Sequence, residues 1–347
     1  MRRPNPLPAT LRSAPFRAAD GLSAGVSPRR LRARDLEAPF HGVRLPPPSE
    51  GEIAAHARLD EAARFRARVG RRCAAYALVM APTHAFAGAT AAVLHGIPLP
   101  RGLEEQCEST VHVVAVDGGR APRGRGVRGT STRAAPRVVV RDGLRMLSPE
   151  DTWCSLATSL DLDDLIAAGD RLLGLPAPLT STARIDAAIA RHGSRAGAGR
   201  LRTARAHLRA NVFSRPETIA RLRLVRAGLP EPLPNAVIEL RSGRRTRGDL
   251  VFREFRVLVE YDGEQHLLDS RQWAIDVARL NDLAQDGWCV IRVTRSTSEE
   301  ELVARTRRAL IERGWRDRAR PADSNRRVAR AIPAIRVRRR GTQKRDE

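Results

Sequence analysis

Val257-Leu258-Val259-Glu260-Tyr261-Asp262-Gly263-Glu264-Gln265-His266 begins as an apolar strand and ends in acids. Side chains alternate along a strand, so Glu260 and Asp262 leave it on one face. Asp249, eleven positions before Glu260, follows Gly248 at the start of a second short strand, 249–252, which turns near Arg253-Glu254 into the first. Pairing of the two as a hairpin brings its carboxylate beside the others. Three carboxylates held close in a partly desolvated place repel one another and take up protons unless a cation neutralises them. Ligands made only of oxygen suit Mg²⁺ or Mn²⁺, the ions that activate water in phosphodiester hydrolysis.

These residues resemble the Vsr-like branch of the PD-(D/E)XK endonuclease superfamily, in which an Asp precedes a strand ending Glu-x-Asp-Gly-x-x-His, followed by a helix and another strand. The likeness covers 214–315 and implies a restriction-endonuclease-like α/β domain. It puts Asp249, Glu260, Asp262 and His266 at the family's site positions, the three acids as ligands of Mg²⁺ or Mn²⁺. Glu217 falls on the acidic residue of the family's first helix, as a peripheral ligand. Asp276-x-x-Arg279-x-x-x-Leu283 and Gly287-Trp288-Cys289-Val290-Ile291-Arg292 are similar to the family's next helix and strand. The chain departs from the superfamily at its lysine. Asp262 stands there, and Lys344 is the only lysine in the chain. His266 would take over the lysine's task of positioning or deprotonating the attacking water, for which a near-neutral imidazole is suited. A structural, hydrogen-bonding histidine is the alternative.

Several residues here have a second reading. Ser214-Arg215-Pro216-Glu217 has capping-box spacing, and the cap and the metal compete for one carboxylate. Asp276 and Arg279, three apart on a helix, read as an exposed or semi-exposed ion pair. Trp273, Val277, Leu280 and Ala284 read as the stripe that this helix buries. Arg271, Arg279 and Arg292 are the arginines near the site that would neutralise a phosphate backbone.

The chain has 347 residues, enough for two or three cores, and 62 basic against 39 acidic residues give it a net charge of +23. That balance favours a polyanion, because each phosphate neutralised releases counterions. A GC-rich genome explains arginine in place of lysine but not the excess of base over acid. Aromatic residues are 4%, too few to stack many single-stranded bases, so double-stranded DNA is the expected partner. Cys73, Cys107, Cys154 and Cys289 have no paired spacing, which argues against zinc and against a disulfide framework. No nucleotide cofactor is expected. Residues 1–26 lack the apolar core of a secretory signal, and the apolar run 73–94 is broken by Pro82-Thr83-His84 and Gly88, so no membrane partner and a cytoplasmic location are expected.

In the N-terminal half, 16–31 reads as a helix, a Gly25-Val26-Ser27-Pro28 turn and a second helix capped by Ser27 with Pro28 at its first position. That second helix would carry Arg29, Arg30, Arg32 and Arg34, and a strand pair within 40–45, with Arg44, follows where a wing would lie. The pattern resembles the winged helix-turn-helix at the N-terminus of AbiEi-family antitoxins, which implies DNA binding by those arginines and a toxin as partner. The alternative is a small solvated helix pair. Residues 51–191 read as a mixed α/β region, with helices at 52–72, 73–80 and 83–94 and strands at 111–116, 137–140 and 144–147. A Ser148-Pro149 helix start holding Trp153 and a helix at 162–173 follow. Thr90-Ala91-Ala92-Val93-Leu94-His95-Gly96 and the helix start at Ser148 are similar to the middle region of the same antitoxins. His84 and His95 read as capping or core residues. Arg120, Arg123, Arg125, Arg128, Arg133 and Arg137 lie in a glycine- and proline-rich connection that reads equally as a flexible phosphate-binding loop or as a solvated one.

The domain order that results is a winged helix at 1–50, an AbiEi-like α/β domain at 51–191 and a linker with a bridging helix at 192–213. The endonuclease-like domain at 214–315 and a disordered basic tail at 316–347, with twelve basic and four acidic residues, complete it. Two functions compete. One is a DNA-binding protein with a Mg²⁺-dependent endonuclease domain. The other is a noncatalytic AbiEi-like antitoxin or transcriptional regulator that keeps a degenerate nuclease fold.

Overall fold

The structure is a computed structural model that describes residues 5–261 and 270–317, with the backbone alone at 270–274. The chain divides into two compact units, Met1–Leu160 with Asp164–Arg215 and Asp161–Asp163 with Pro216–Glu347. Both are mixtures of helix and sheet, and no helix among the described residues is long and apolar enough to cross a membrane.

The first unit opens with β1 (Phe16–Arg17), α1 (Ala18–Ser23), α2 (Pro28–Leu31) and β2 (Val43–Arg44). Ser27 caps α2 as expected, its hydroxyl accepting from the Arg30 amide at 3.2 Å, with Pro28 in the first turn. The helix ends at Leu31, so Arg32 and Arg34 lie beyond it and not on it. The expected strand pair within 40–45 is instead a pairing of β1 with β2, Phe16 opposite Arg44. Phe16, Val26, Leu31 and Leu36 supply the apolar burial that such short elements cannot do without.

Next come α3 (Glu50–Ala57), α4 (Glu61–Ala77), β3 (His84–Phe86), α5 (Gly88–His95), α6 (Arg101–Ser109), β4 (Val111–Ala115), β5 (Arg123–Gly124) and β6 (Val127–Ser131). They are followed by β7 (Val138–Arg141), β8 (Leu144–Leu147), α7 (Pro149–Ser155), α8 (Leu162–Leu173), α9 (Thr182–His192) and α10 (Ala198–His207). The sheet runs β5-β6-β4-β3-β8-β7, with parallel pairs at β4/β6 and β3/β8. The expected helix 52–72 is broken where Asp60 caps α4 by accepting from the Ala63 amide at 2.7 Å. Residues 84–86, expected as helix, form a strand in the middle of the sheet. The linker stretch 192–200 contains the end of α9 and the start of α10. Gly197, at φ +89°, lies so near Ala157 that a Cβ would stand 2.6 Å from that residue's methyl, and Arg200 donates to the carbonyls of Ala157 and Leu160.

The second unit is built from α11 (Arg215–Arg226), β9 (Leu233–Glu239), β10 (Arg245–Phe252), β11 (Val257–Tyr261), α12 (Ser270–Gln285), β12 (Cys289–Val293) and α13 (Glu299–Glu312). The sheet order is β12-β11-β10-β9. Only β11 and β12 are parallel, with α12 between them in sequence. Alternation sorts the apolar residues to two faces. Leu250, Phe252, Val257, Val259, Ile291 and Val293 pack with Leu224 of α11 and with Leu302 and Leu310 of α13. Ile238, Val251 and Leu258 pack with Leu283 of α12. The stripe of α12 is therefore not the expected one, since Leu283 is buried and Ala284 exposed. The side chain of Trp273 and the basic tail from 318 onward lie outside the described residues.

Candidate acidic site

The hairpin of β10 and β11 pairs Leu250 with Val259, and Asp249 comes one residue before that pair on β10. On the other side of β10, Asn235 and Asp249 both fall between the Ala236–Gly248 and Pro234–Leu250 pairs, where the regular pairing skips a residue on each strand. Beyond β11, Arg292 is the partner of Glu260. Glu260 and Arg292 are thus partners on neighbouring strands, while Asp249 and Asn235 lie where the regular pairing of β9 and β10 is interrupted. Asp249 and Glu260 are near enough for the charge of one to act on the other.

Each acid here has a different environment. Asp249 accepts from the Tyr261 amide at 2.8 Å. Burial pushes its carboxyl up to about 7, and the nearby charges of Glu217 and Glu260 push the same way, against the Tyr261 amide and Arg279. Glu217, in the first turn of α11, is buried and accepts from Asn235 Nδ2 at 2.6 Å. Asn235 reaches it from a backbone at φ +46°, a left-handed conformation that asparagine tolerates better than most residues. Glu260 is held by Arg279, which donates Nη1 to Oε2 at 2.9 Å and Nη2 to Oε1. Arg279 also donates Nε to Thr246 Oγ1 at 2.6 Å and Nη2 to the Arg247 carbonyl. Burial works against its charge, but the bond to Glu260 and the charges of Glu260, Asp249 and Asp276 hold its pKa above the usual guanidinium value.

The structure thus brings together Asp249, Glu217 and Glu260 of the expected site residues. Asp262 and His266 lie outside the described residues, as does the side chain of Arg271. Arg279, read as half of an exposed or semi-exposed pair with Asp276, forks onto Glu260, and the charge of Asp276 acts on it as well. Asn235 is a site residue that sequence reasoning does not find. Nothing local marks an asparagine 18 positions after Glu217, and only the folded chain brings the two together. Among the described residues no group of three or more His, Cys, Asp and Glu side chains is close enough to hold a metal ion. Asp249 and Glu217 have the oxygen chemistry for a hard cation, whereas Glu260 already has a cationic partner.

The arginines expected to meet DNA divide into two sets. Arg30 forks onto Asp35 at 2.9 and 2.8 Å and donates Nε to the Asn5 carbonyl. Arg44 donates to the carbonyls of Leu31 and Val43. These two hold the N-terminal fold together in this structure. Arg29, Arg32 and Arg34 are exposed. His95 is buried, its Nε2 within 2.8 Å of the Leu147 carbonyl oxygen, which is the expected core role. Comparison with protein-family models, with curated proteins and with solved structures finds no match to this chain.

Proposed function

We propose that residues 214–315 form a Vsr-like, Mg²⁺- or Mn²⁺-dependent DNA endonuclease domain, and that residues 1–50 dock the protein on duplex DNA as a winged helix. The observation that carries the first part is the setting of Asp249, a carboxyl raised to about 7 by burial and by two neighbouring acids. A buried acid so placed either keeps a proton or gains a cation, and strongly perturbed groups of this kind concentrate at functional sites. The order α11, β9, β10, β11, α12, β12 supports the reading as well. It runs helix with an acid, hairpin with the Asp and Glu, helix, strand, as the resemblance implies.

A divalent ion held by Asp249, Glu260 and Asp262, with Glu217 at the periphery, would supply the positive charge these acids lack and polarise a water for attack on phosphorus. The chain's own groups fix the acids that hold it. The Tyr261 amide orients Asp249, Asn235 orients Glu217, and His266 is assigned the proton transfer that the superfamily gives to lysine. Supercoiled plasmid incubated with Mg²⁺ or Mn²⁺ tests this. Nicked and linear products are expected with the wild type and not with Asp249→Ala or Glu260→Ala. Equal survival of the plasmid with all three proteins would rule the enzyme out.

One observation favours the noncatalytic alternative, a regulator of AbiEi type with a degenerate nuclease fold. Arg279 forks onto Glu260 and so gives that carboxylate a cation of the chain's own. Under that reading the protein protects a defined stretch of its own promoter over random DNA, a toxin is its protein partner, and exchange of Asp249 leaves the protection unchanged.

A further inference from the structure

The first unit carries a basic surface that neither reading employs. Residues 110–141 contain seven arginines and one acid, Asp117, and no aromatic residue. Asp117 accepts from the Gly119 amide at 2.8 Å. At one edge of the six-stranded sheet, β5 and β6 pair antiparallel in a register that sets Arg123 directly against Arg128. Directly opposed like charges on neighbouring strands destabilise a hairpin. Arg120, Arg123, Arg125, Arg128 and Arg133 are all exposed, and among the described residues none of the five forms an ion pair with a carboxylate.

This ribbon is fixed by its backbone. β6 pairs with β4 over five residues in parallel register, from Val111–Val127 to Ala115–Ser131. Gly129 passes so close beneath the start of β5 that a Cβ there would stand 1.9 Å from the Pro122 carbonyl oxygen. Its charge reaches into the fold as well. Burial, and after it Arg128, push the His112 imidazole down to about 4. An edge strand needs a charge or two to discourage pairing with another sheet. Five arginines without a carboxylate, two of them face to face, exceed that need.

We propose that the β5–β6 ribbon is a duplex-DNA docking surface, with Arg123, Arg125 and Arg128 neutralising backbone phosphates and Arg120 and Arg133 flanking them. The major groove of B-form DNA admits a two-stranded ribbon, whereas that of A-form RNA is too deep and narrow. The absence of aromatic side chains leaves nothing on which single-stranded bases would stack. The inference uses the first unit alone and holds whether or not the second unit hydrolyses DNA.

The test is anisotropy titration of the full chain with a labelled duplex of about 30 base pairs, at about 50 to 200 mM salt. The triple variant Arg123→Gln, Arg125→Gln, Arg128→Gln should lower the slope of log affinity against log salt by about 2 to 3, near 0.9 for each phosphate that is no longer neutralised. The triple lysine variant should keep the slope, since an ammonium also neutralises a phosphate. The glutamine variant should melt no lower than the wild type, because the opposed pair is relieved. If it fails to fold, the single variants Arg123→Gln and Arg125→Gln decide the matter, each expected to lower the slope by about 1. The proposal is overturned by an unchanged slope, by a wild type with no salt-dependent affinity for DNA, or by equal affinity for an RNA duplex of the same length. The titration contains no divalent cation, so it reads binding without cleavage, and a failure of the nuclease reading stays separate from a failure of this one.

Discussion

Asp151 in the first unit and Asp249 in the second are both acids drawn largely out of solvent, and the chain treats them in opposite ways. Asp151 Oδ2 accepts from Ser148 Oγ at 2.9 Å, from the Arg137 amide at 3.1 Å and from Arg191 Nη2 at 2.7 Å. Beside it, Glu150 is 2% exposed and 3.7 Å from Arg137. Asp249 has the Tyr261 amide and the more distant charge of Arg279, and burial, Glu217 and Glu260 outweigh them and press it toward protonation. Where donors surround a buried carboxylate, it fastens a helix start to a strand. Where other acids face it, the fold is left with a charge that something from outside must balance.

The largest effect that would sharpen this contrast is expected at Asp151. Asp151→Ala leaves Arg191 and a buried helix start without their acceptor, and should cost about 4 kcal/mol, read from urea denaturation. At Asp249 the sign reverses. Its carboxyl is near 7 in the folded chain and 3.8 in the unfolded one, so between those values the folded state binds more protons. Stability therefore falls as pH rises from about 4 to 7, by on the order of 3 kcal/mol after a discount for partial exposure. Asp249→Asn should abolish this fall and be the more stable protein at pH 8. A parallel pH dependence in variant and wild type would dissolve the contrast.

A cation should also restore what ionisation of Asp249 removes. Mn²⁺ at about 100 times its dissociation constant adds about 2.7 kcal/mol, so melting should shift upward at pH 8 and much less at pH 5. Arg279→Gln removes the competitor for Glu260 and should tighten Mn²⁺ by about tenfold, or 1.4 kcal/mol, if Glu260 is a ligand. Unchanged affinity would place Glu260 with the structural acids. The smallest effect belongs to Ser148→Ala, which removes a cap on the Asp151 amide and should cost about 1 kcal/mol.

Local chemistry makes parts of the fold legible. The β7–β8 hairpin follows from Asp142-Gly143, which sit at φ +50° and +74° as a two-residue hairpin turn asks. Ser148-Pro149 starts α7, and Trp153 is fully buried on it, donating to the Leu165 carbonyl at 2.8 Å. Residues 84–86 mislead because a short apolar run serves a buried strand and a buried helix equally well. The glycines of 192–200 suggest a linker, yet Gly197 is there to admit Ala157. In the site, the hairpin alone is enough to bring Asp249 near Glu260. Arg279 and Asn235 escape a reading of the sequence because their roles depend on α12 packing over the hairpin and on the fold bringing Asn235 to Glu217, which no spacing encodes.

Asp249, its carboxyl pushed up to about 7, still carries a hydrogen as the solution approaches neutrality. Any divalent ion settling against that oxygen must first expel it to the bulk, so uptake of the ion is also a release of acid. Calorimetric heats of association would then vary with the ionisation enthalpy of the buffer, and the grip on the ion would strengthen as the surroundings turn alkaline.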